Sequence, residues 1–496
     1  MLFGAGKSAT ALIEYLKLIA TQYVWKVVVA DANLALAKQK TDNHPLVTPV
    51  GLDIMDSELR RMLISKADVV ISLLPPALHI VVARDCVELE KHLLTASYVD
   101  DEIKALKATV EEKGLLFLCE MGLDPGIDHM SAMKLVDEIK ESGGEIISFK
   151  SHCGGLITPE SDDNPWHYKI TWNPRYVVHA GKAGATFLEE GDIKRVKYEE
   201  LFSIERVVDI PDYGVFAYYP NRDSLGYLKL YELDSATTFL RTTLRHPEFC
   251  FGWKNIVDLK LTDEETTYDT DGMSYADFFR RHFDKHGFAE WLNQMLMSRL
   301  SFAKDMMEKL VKLMEAEEEA ESSGENLEDE LMLVNDKGEL STLHVDEVKD
   351  RAAESVAYKM HEANLSMRQL FFLGLDDETL INLGTCTAAD ILQSILEKKL
   401  AMKPEDKDWV LMLHEIEYLE NGEKRTVQSL LSVKGDDDVN TAMAKTVGLP
   451  LGIAAKLLLE GKLTETGVRI PTSSSIYYPV LSELRKYGIE FTDYKS

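Results

Sequence analysis

Four residues into the chain, Leu2-Phe3-Gly4-Ala5-Gly6-Lys7-Ser8-Ala9 forms a GxGxxA pattern. Placed between a strand and a helix, such a run can hold a pyrophosphate. Gly4 permits the turn, Gly6 lets the backbone approach the phosphates, and Ala9 lets the helix pack closely. The helix N-terminus supplies the anion site, with Lys7 and Ser8 in its first turn. Gly6-Lys7-Ser8 also contains the core of a nucleoside-triphosphate loop, GxxxxGK[ST], but Met1 stands where that loop needs its first glycine. A dinucleotide is therefore expected. Asp31 ends the next apolar run, where a carboxylate can accept hydrogen bonds from a ribose and repel a 2′-phosphate. Ala32 and Asn33 follow it, with no arginine close by, so NAD is favoured over NADP. The plain alternative for Asp31 is a turn aspartate leading into a helix.

These residues need strands to carry them. Short β-branched runs predict strands at 1–3, 25–30, 46–50, 69–74, 92–96 and 115–119, alternating with amphipathic stretches, as in a doubly wound parallel sheet. Leu12, Ile13, Leu16 and Ile19 form one apolar helix face directly after the glycines. Only three residues precede Gly4, fewer than a buried strand usually has, which predicts that the natural start lies upstream. After Gly122 the segments lengthen and carry more aromatics, consistent with a second α/β domain for substrate. Residues 263–406 read as mainly helical, with the acidic stretch 315–330 expected as a solvated, mobile loop. A hairpin is predicted from Trp409–Leu419 and Val427–Val433 around Asn421-Gly422. An apolar helix follows at 441–456, interrupted at Gly448-Leu449-Pro450. The expected organisation is a dinucleotide-binding domain from 1–122 and about 440–496, a discontinuous substrate domain from 123–262 and about 407–439, and the helical insert.

Composition narrows the function. A formal charge of −29 repels polyphosphate backbones, so no nucleic-acid partner is expected. An anionic substrate would have to be held by local arginines, and Arg222 is such a residue. The five cysteines include no CxxC pair, so reduced thiols and no metal are expected. No apolar run is expected to reach membrane-spanning length, and the glycine motif leaves no room for a signal segment, giving a cytoplasmic protein with no membrane partner.

Five segments together carry a resemblance: Asp68-Val69-Val70-Ile71-Ser72-Leu73-Leu74-Pro75-Pro76, Thr95-Ala96-Ser97-Tyr98-Val99, Gly122-Leu123-Asp124-Pro125-Gly126-Ile127-Asp128-His129, Cys153-Gly154-Gly155-Leu156 and Tyr219-Pro220-Asn221-Arg222-Asp223-Ser224. They resemble the saccharopine dehydrogenase family in its glutamate-forming branch, over 4–253 and again over 409–489. The resemblance implies an oxidoreductase that interconverts saccharopine with glutamate and aminoadipate semialdehyde through an imine in lysine metabolism. By the same resemblance, Gly4, Gly6, Lys7, Ser8 and Ala9 would hold the pyrophosphate, Asp31 the adenosine ribose, Asp53 and Ile54 the adenine edge, and Ser72 and Leu73 the nicotinamide ribose. The NAD expectation then points to saccharopine oxidation as the physiological direction.

Tyr98, Asp124 and Cys153 match polar positions that line the family's active site. Oxidation of a secondary amine needs proton acceptors and donors within hydrogen-bond reach. Asp124 is the expected base or orienting group, aimed by the Pro125-Gly126 turn, with a helix N-cap as the alternative. Cys153 is either a proton donor or pocket wall, and His129 reads as structural. Arg222 would hold a substrate carboxylate, and Trp172 and Asn173 match a pocket wall. A polyamine-forming relative of the carboxynorspermidine type and a non-catalytic NAD-binding sensor are the rival readings. Dimerisation through the second domain is also expected.

Overall fold

The computed structural model describes residues 1–203, 206–323, 330–334, 340–344, 357 and 361–495. Short runs of apolar residues at the start of the chain form strands, mostly buried except at the edge strand β3: β1 (Leu2–Phe3), β2 (Val27–Asp31), β3 (Val47–Gly51), β4 (Val69–Ser72), β5 (His92–Thr95) and β6 (Leu116–Leu118). They build a parallel sheet in the order β6-β5-β4-β1-β2-β3, and Gly467–Arg469 adds a seventh strand beside β6. The order reverses between β1 and β4, so a crevice for ligand opens outside the strand ends there. Helix α1 (Thr10–Tyr23) buries Leu12, Ile13, Leu16 and Ile19, the face predicted from their spacing.

A mixed sheet follows. Its central strand is β7 (Glu145–Ile157), which pairs in parallel with Thr238–Arg245 and antiparallel with Asp408–Glu420. Asp408–Glu420 and Glu423–Lys434 form the predicted hairpin, with Asn421 and Gly422 at φ 54° and 84° as a two-residue hairpin turn requires. Residues Ile127–Glu141, the helix that leaves the Asp124 turn, bury an apolar face in the same core as Phe149, Met412 and Ile416.

By contact the chain divides into two units. One comprises Met1–Asp163, His167–Cys250 and Leu400–Ser496, and contains both sheets; the other comprises Asn164–Trp166 and Phe251–Lys399. The second unit carries helices Tyr275–His286, Phe288–Ser323 and Ala388–Lys399 and two small antiparallel strand pairs, Thr267–Asp269 with Thr385–Thr387 and Glu330–Val334 with Leu340–His344.

Three local expectations need correction. The acidic stretch is not a loop throughout: 315–323 continues the helix Phe288–Ser323, and 324–329 lie outside the described residues. Glu- and Ala-rich sequence is too polar to pack but has high helix propensity. The apolar helix Ala442–Leu459 runs unbroken through Pro450. Gly448 lies so close to α1 that an added Cβ would stand 2.9 Å from the Leu12 nitrogen, so the glycine marks tight packing. That helix is also long and apolar enough to cross a membrane by length and composition, with mean hydropathy 1.4, although 72% of it is buried inside the protein.

Candidate active site

The expected dinucleotide residues gather at the C-terminal ends of the parallel strands. Gly4 follows β1 at φ 99°, and a Cβ there would stand 2.7 Å from the Leu73 carbonyl oxygen, which closes the turn to other residues. An added Cβ on Gly6 would meet nothing within 4 Å, so this backbone faces open space, as close approach by a phosphate requires. Lys7, Ser8 and Ala9 form a single 3-10 turn that leads into α1. Asp53 and Ile54 follow β3; Asp53 accepts from the Met55 N–H at 2.9 Å. The Ser72 hydroxyl is fully buried and engaged by His79 at 2.8 Å, so this residue has only its backbone to offer a ribose. His79 also reaches the Ser97 hydroxyl at 2.8 Å, locking the β4 and β5 ends together.

Next to this edge, three distant segments place polar side chains in contact. Tyr98, after β5, donates to Asp124 at 3.2 Å. Arg241, from the strand Thr238–Arg245, donates through Nη2 to Asp124 at 2.7 Å and to Asp128 at 2.6 Å. Burial pushes the Asp124 carboxyl up to about 6, with Arg241 pulling the other way. Burial disfavours ionisation of Asp128 as well, but His129, Arg241 and the Gly126 N–H outweigh it and hold Asp128 low. Asp124 is not the helix N-cap; Gly126 occupies that place.

Behind Arg241 lies a second layer. Its guanidinium stands 4.4 Å over the Tyr227 ring, which stacks on His129 at 5.1 Å. Glu120 accepts from Tyr227 at 3.0 Å, contacts His129 at 2.8 Å, and accepts from the Val99 N–H at 3.0 Å. Glu120 itself sits at φ 56°, a left-handed conformation that a non-glycine residue keeps only when its surroundings fix it.

Strand register decides what faces this cluster. Thr243 is level with Cys153, so Arg241 and Arg245, two residues to either side, share the Cys153 face, whereas His152 points away and meets Thr242 at 2.7 Å and Glu415 at 3.2 Å. Burial pushes the Cys153 thiol well above its ordinary range, so it keeps its proton. Arg245 is only 6% exposed and has no carboxylate partner among the described residues; it stacks on Tyr168 at 5.1 Å, and its buried Nε has no acceptor. A buried guanidinium without a counter-charge is costly unless an anion completes it. Arg222 is exposed, adopts φ 51°, and stands 5.3 Å over the Tyr98 ring. Trp172 is half-buried, stacks on Tyr176 at 5.3 Å and donates to the Tyr168 hydroxyl at 3.2 Å. Asn173 caps the short helix Pro174–Val178 by accepting from Arg175 N–H at 3.0 Å.

The structure thus brings Tyr98, Asp124 and Arg222 together, with Cys153 on the sheet face that also carries Arg241 and Arg245. Sequence reasoning missed Arg241, Arg245, Asp128 and Glu120. The one available signal was the alternation of Arg241, Thr243 and Arg245 along a single strand.

Comparison with known proteins agrees with this arrangement. Residues 1–118 match the family model "Saccharopine dehydrogenase NADP binding domain", and residues 122–489 match "Saccharopine dehydrogenase C-terminal domain". The alpha-aminoadipic semialdehyde synthase of Arabidopsis thaliana is 34% identical over 477 residues; the match covers 94% of this chain but only 40% of that longer protein. The saccharopine dehydrogenase [NADP(+), L-glutamate-forming] of Pyricularia oryzae is 31% identical, with 94% of this chain and 92% of that protein covered. The apo saccharopine dehydrogenase (L-Glu forming) structure from Saccharomyces cerevisiae superposes with a TM-score of 0.77 at 26% identity, covering 100% of this chain and 99% of the other.

The expectation of NAD is overturned by these findings, since the matching model is that of an NADP binding domain and the Pyricularia oryzae relative is named for NADP(+). The inference about physiological direction falls with it. Locally, the Asp31 carboxylate accepts from the Ala5 and Asn33 N–H groups, both at 2.7 Å, so it staples the glycine loop and its own turn. A cation also lies nearby, because Lys40 donates to the Gly6 carbonyl at 2.5 Å and to the Thr10 hydroxyl at 2.8 Å. The sequence reading sought an arginine just after Asp31 and passed over a lysine one helix further on. Two family models laid end to end span nearly the whole chain, and its fold and glycine loop suit the domains they describe: the chain belongs to the saccharopine dehydrogenase family.

Proposed function

We propose that this chain is an oxidoreductase acting on the CH–NH group of saccharopine, giving L-glutamate and aminoadipate semialdehyde reversibly through an imine, with NADP(+) as in its fungal relative. The observation that carries the reading is the pairing of one carboxyl, Asp124, with two arginines that have no acid partner among the described residues, Arg222 beside Tyr98 and Arg245 on the Cys153 face. Saccharopine has three carboxylates around one secondary amine, and guanidinium groups suit carboxylates through paired hydrogen bonds.

Gly4, Gly6, Lys7, Ser8 and Ala9 would hold the pyrophosphate, with Asp53, Ile54, Ser72 and Leu73 along the remaining strand ends. When bound, the dinucleotide supplies the hydride acceptor. The chain's own residues supply the proton chemistry. Ionised Asp124, oriented by Tyr98 and Arg241, accepts a proton from the substrate amine, which must be neutral for its carbon to lose hydride. Water then adds to the carbon of the protonated imine; as the C–N bond breaks and the aldehyde forms, one water proton passes to the glutamate nitrogen and the other to solvent, and the same carboxyl returns its proton to that nitrogen. Tyr98 and Cys153 both keep their protons, because burial raises the phenol and the thiol, so they serve as hydrogen-bond donors rather than nucleophiles. Trp172 is assigned to the pocket wall, and Asn173 to shaping its loop.

Absorbance of reduced nicotinamide tests the reading with purified protein, NADP(+) and saccharopine, and with carboxynorspermidine as the control amine. NADPH should form with saccharopine alone. Formation only with the control, or with neither amine, would overturn the assignment.

A further inference from the structure

Asp128 is a second carboxylate at the site, and the proposed reaction gives it no task. Asp124 Oδ1 and Asp128 Oδ2 approach the same nitrogen, Nη2 of Arg241, at 2.7 and 2.6 Å. One NH2 group has two protons, so each carboxylate takes one of them. In access and support the two acids differ. The Asp128 side chain is 2% exposed and the Asp124 side chain 14%. Asp128 also accepts from the Gly126 N–H at 2.6 Å and lies 3.6 Å from His129 Nδ1, whereas Asp124 has only the longer bond from Tyr98. When two carboxylates share a site, the less supported one takes up the proton.

We propose that Asp128 and Arg241 form a positioning pair that sets the proton affinity of Asp124, the carboxylate raising it and the guanidinium lowering it, so that Asp124 can accept and return a proton in turn. The inference rests on the role given to Asp124 above. The groups facing Asp124 are Tyr98 after β5, Asp128 and His129 on the helix Ile127–Glu141 that follows its turn, and Arg241 from the strand Thr238–Arg245; Cys153 on β7 and Tyr231 lie within electrostatic reach. Arg241 cannot swing to favour one acid, because it rests on the Tyr227 ring, which Glu120 and His129 hold in turn. Burial and the neighbouring Asp128 act in the same direction on the Asp124 carboxyl.

Difference infrared titration of the full chain without substrate reads Asp124 directly. Its protonated-carboxyl band is identified as the one lost in Asp124→Asn. The wild-type midpoint should lie at about 6. In Asp128→Asn it should fall toward the ordinary aspartate value of about 4. Arg241→Gln should move it upward, and Tyr98→Phe should do the same by removing a donor, which keeps the upward arm testable if Arg241→Gln does not fold. A midpoint that stays in place or rises in Asp128→Asn overturns the proposal. The acid limb of the kcat/KM profile should follow the same order. Because the titration uses no substrate, failure of this pair is distinguishable from failure of the saccharopine assignment.

Discussion

The glycine loop and the Asp124 cluster sit at ends of strands of the same parallel sheet yet are built in opposite ways. At the loop, the backbone does the work: Gly4 closes against Leu73, Gly6 leaves space, and the Asp31 carboxylate is tied down by the amides of Ala5 and Asn33. At the cluster, side chains from three separate stretches meet, and a single guanidinium nitrogen joins two acids. Backbone sites tolerate side-chain change outside their contact atoms, whereas a buried charged network fails when any member is removed. The two regions should therefore respond to mutation in different observables.

The sharpest test of this contrast is Asp124→Asn, which should lower kcat on saccharopine by about 10²–10⁴-fold with the protein still folded. A loss confined to KM would move Asp124 out of the chemistry. Arg241→Ala leaves two buried carboxylates without their cation and should cost about 3–5 kcal/mol of stability, read by denaturant unfolding. On the substrate side, Arg222→Ala and Arg245→Met should each raise KM for saccharopine by about one to two orders of magnitude, in line with loss of a charge-assisted pair worth about 1.5–3 kcal/mol. Unchanged KM in both variants removes the anion-binding argument.

At the loop, Gly6→Val should abolish dinucleotide binding in a fluorescence titration while leaving Tm unchanged, because the new side chain enters open space. Gly4→Val should lose both, since it meets the Leu73 carbonyl and needs φ 99°. If both variants lose only binding, the proposed difference between the two glycines is wrong.

The smallest effect is one of pH. Asp124 and Asp408 both have folded-state values raised to about 6, chiefly by burial. The folded state then binds protons more tightly than the unfolded chain between about 4 and 6, so these two groups make stability fall as pH rises through that window. Asp408→Asn should flatten the slope. Asp408 also accepts from the Ala442 and Met443 N–H groups at the start of the helix Ala442–Leu459, at 2.6 and 2.9 Å, so Asp408→Ala should cost about 1–2 kcal/mol as a lost cap.

The sequence revealed whatever depends on neighbouring residues. The pattern of Gly4, Gly6 and Ala9, the six strands of the parallel sheet, the face of α1 and the Asn421-Gly422 turn are all local signals, and each appears where its pattern placed it. The direction of a side chain within a regular element was legible too: His152 and Cys153 face opposite ways because strands alternate. Local reading failed where two outcomes fit one pattern. The carboxylate of Asp31 was read as favouring NAD, whereas the matching domain model is that of an NADP binding domain, and an acidic run expected as loop begins as helix.

The sequence by itself determined the dinucleotide fold, the glycine turn and the identity of Tyr98, Asp124, Cys153 and Arg222 as candidates. Only the tertiary structure decided that Arg241 bridges two carboxylates and that Arg245 lies buried without an acid among the described residues. Those facts depend on Thr238–Arg245 pairing in parallel with β7, some ninety residues away in register, and no local pattern specifies which distant strand a strand will join.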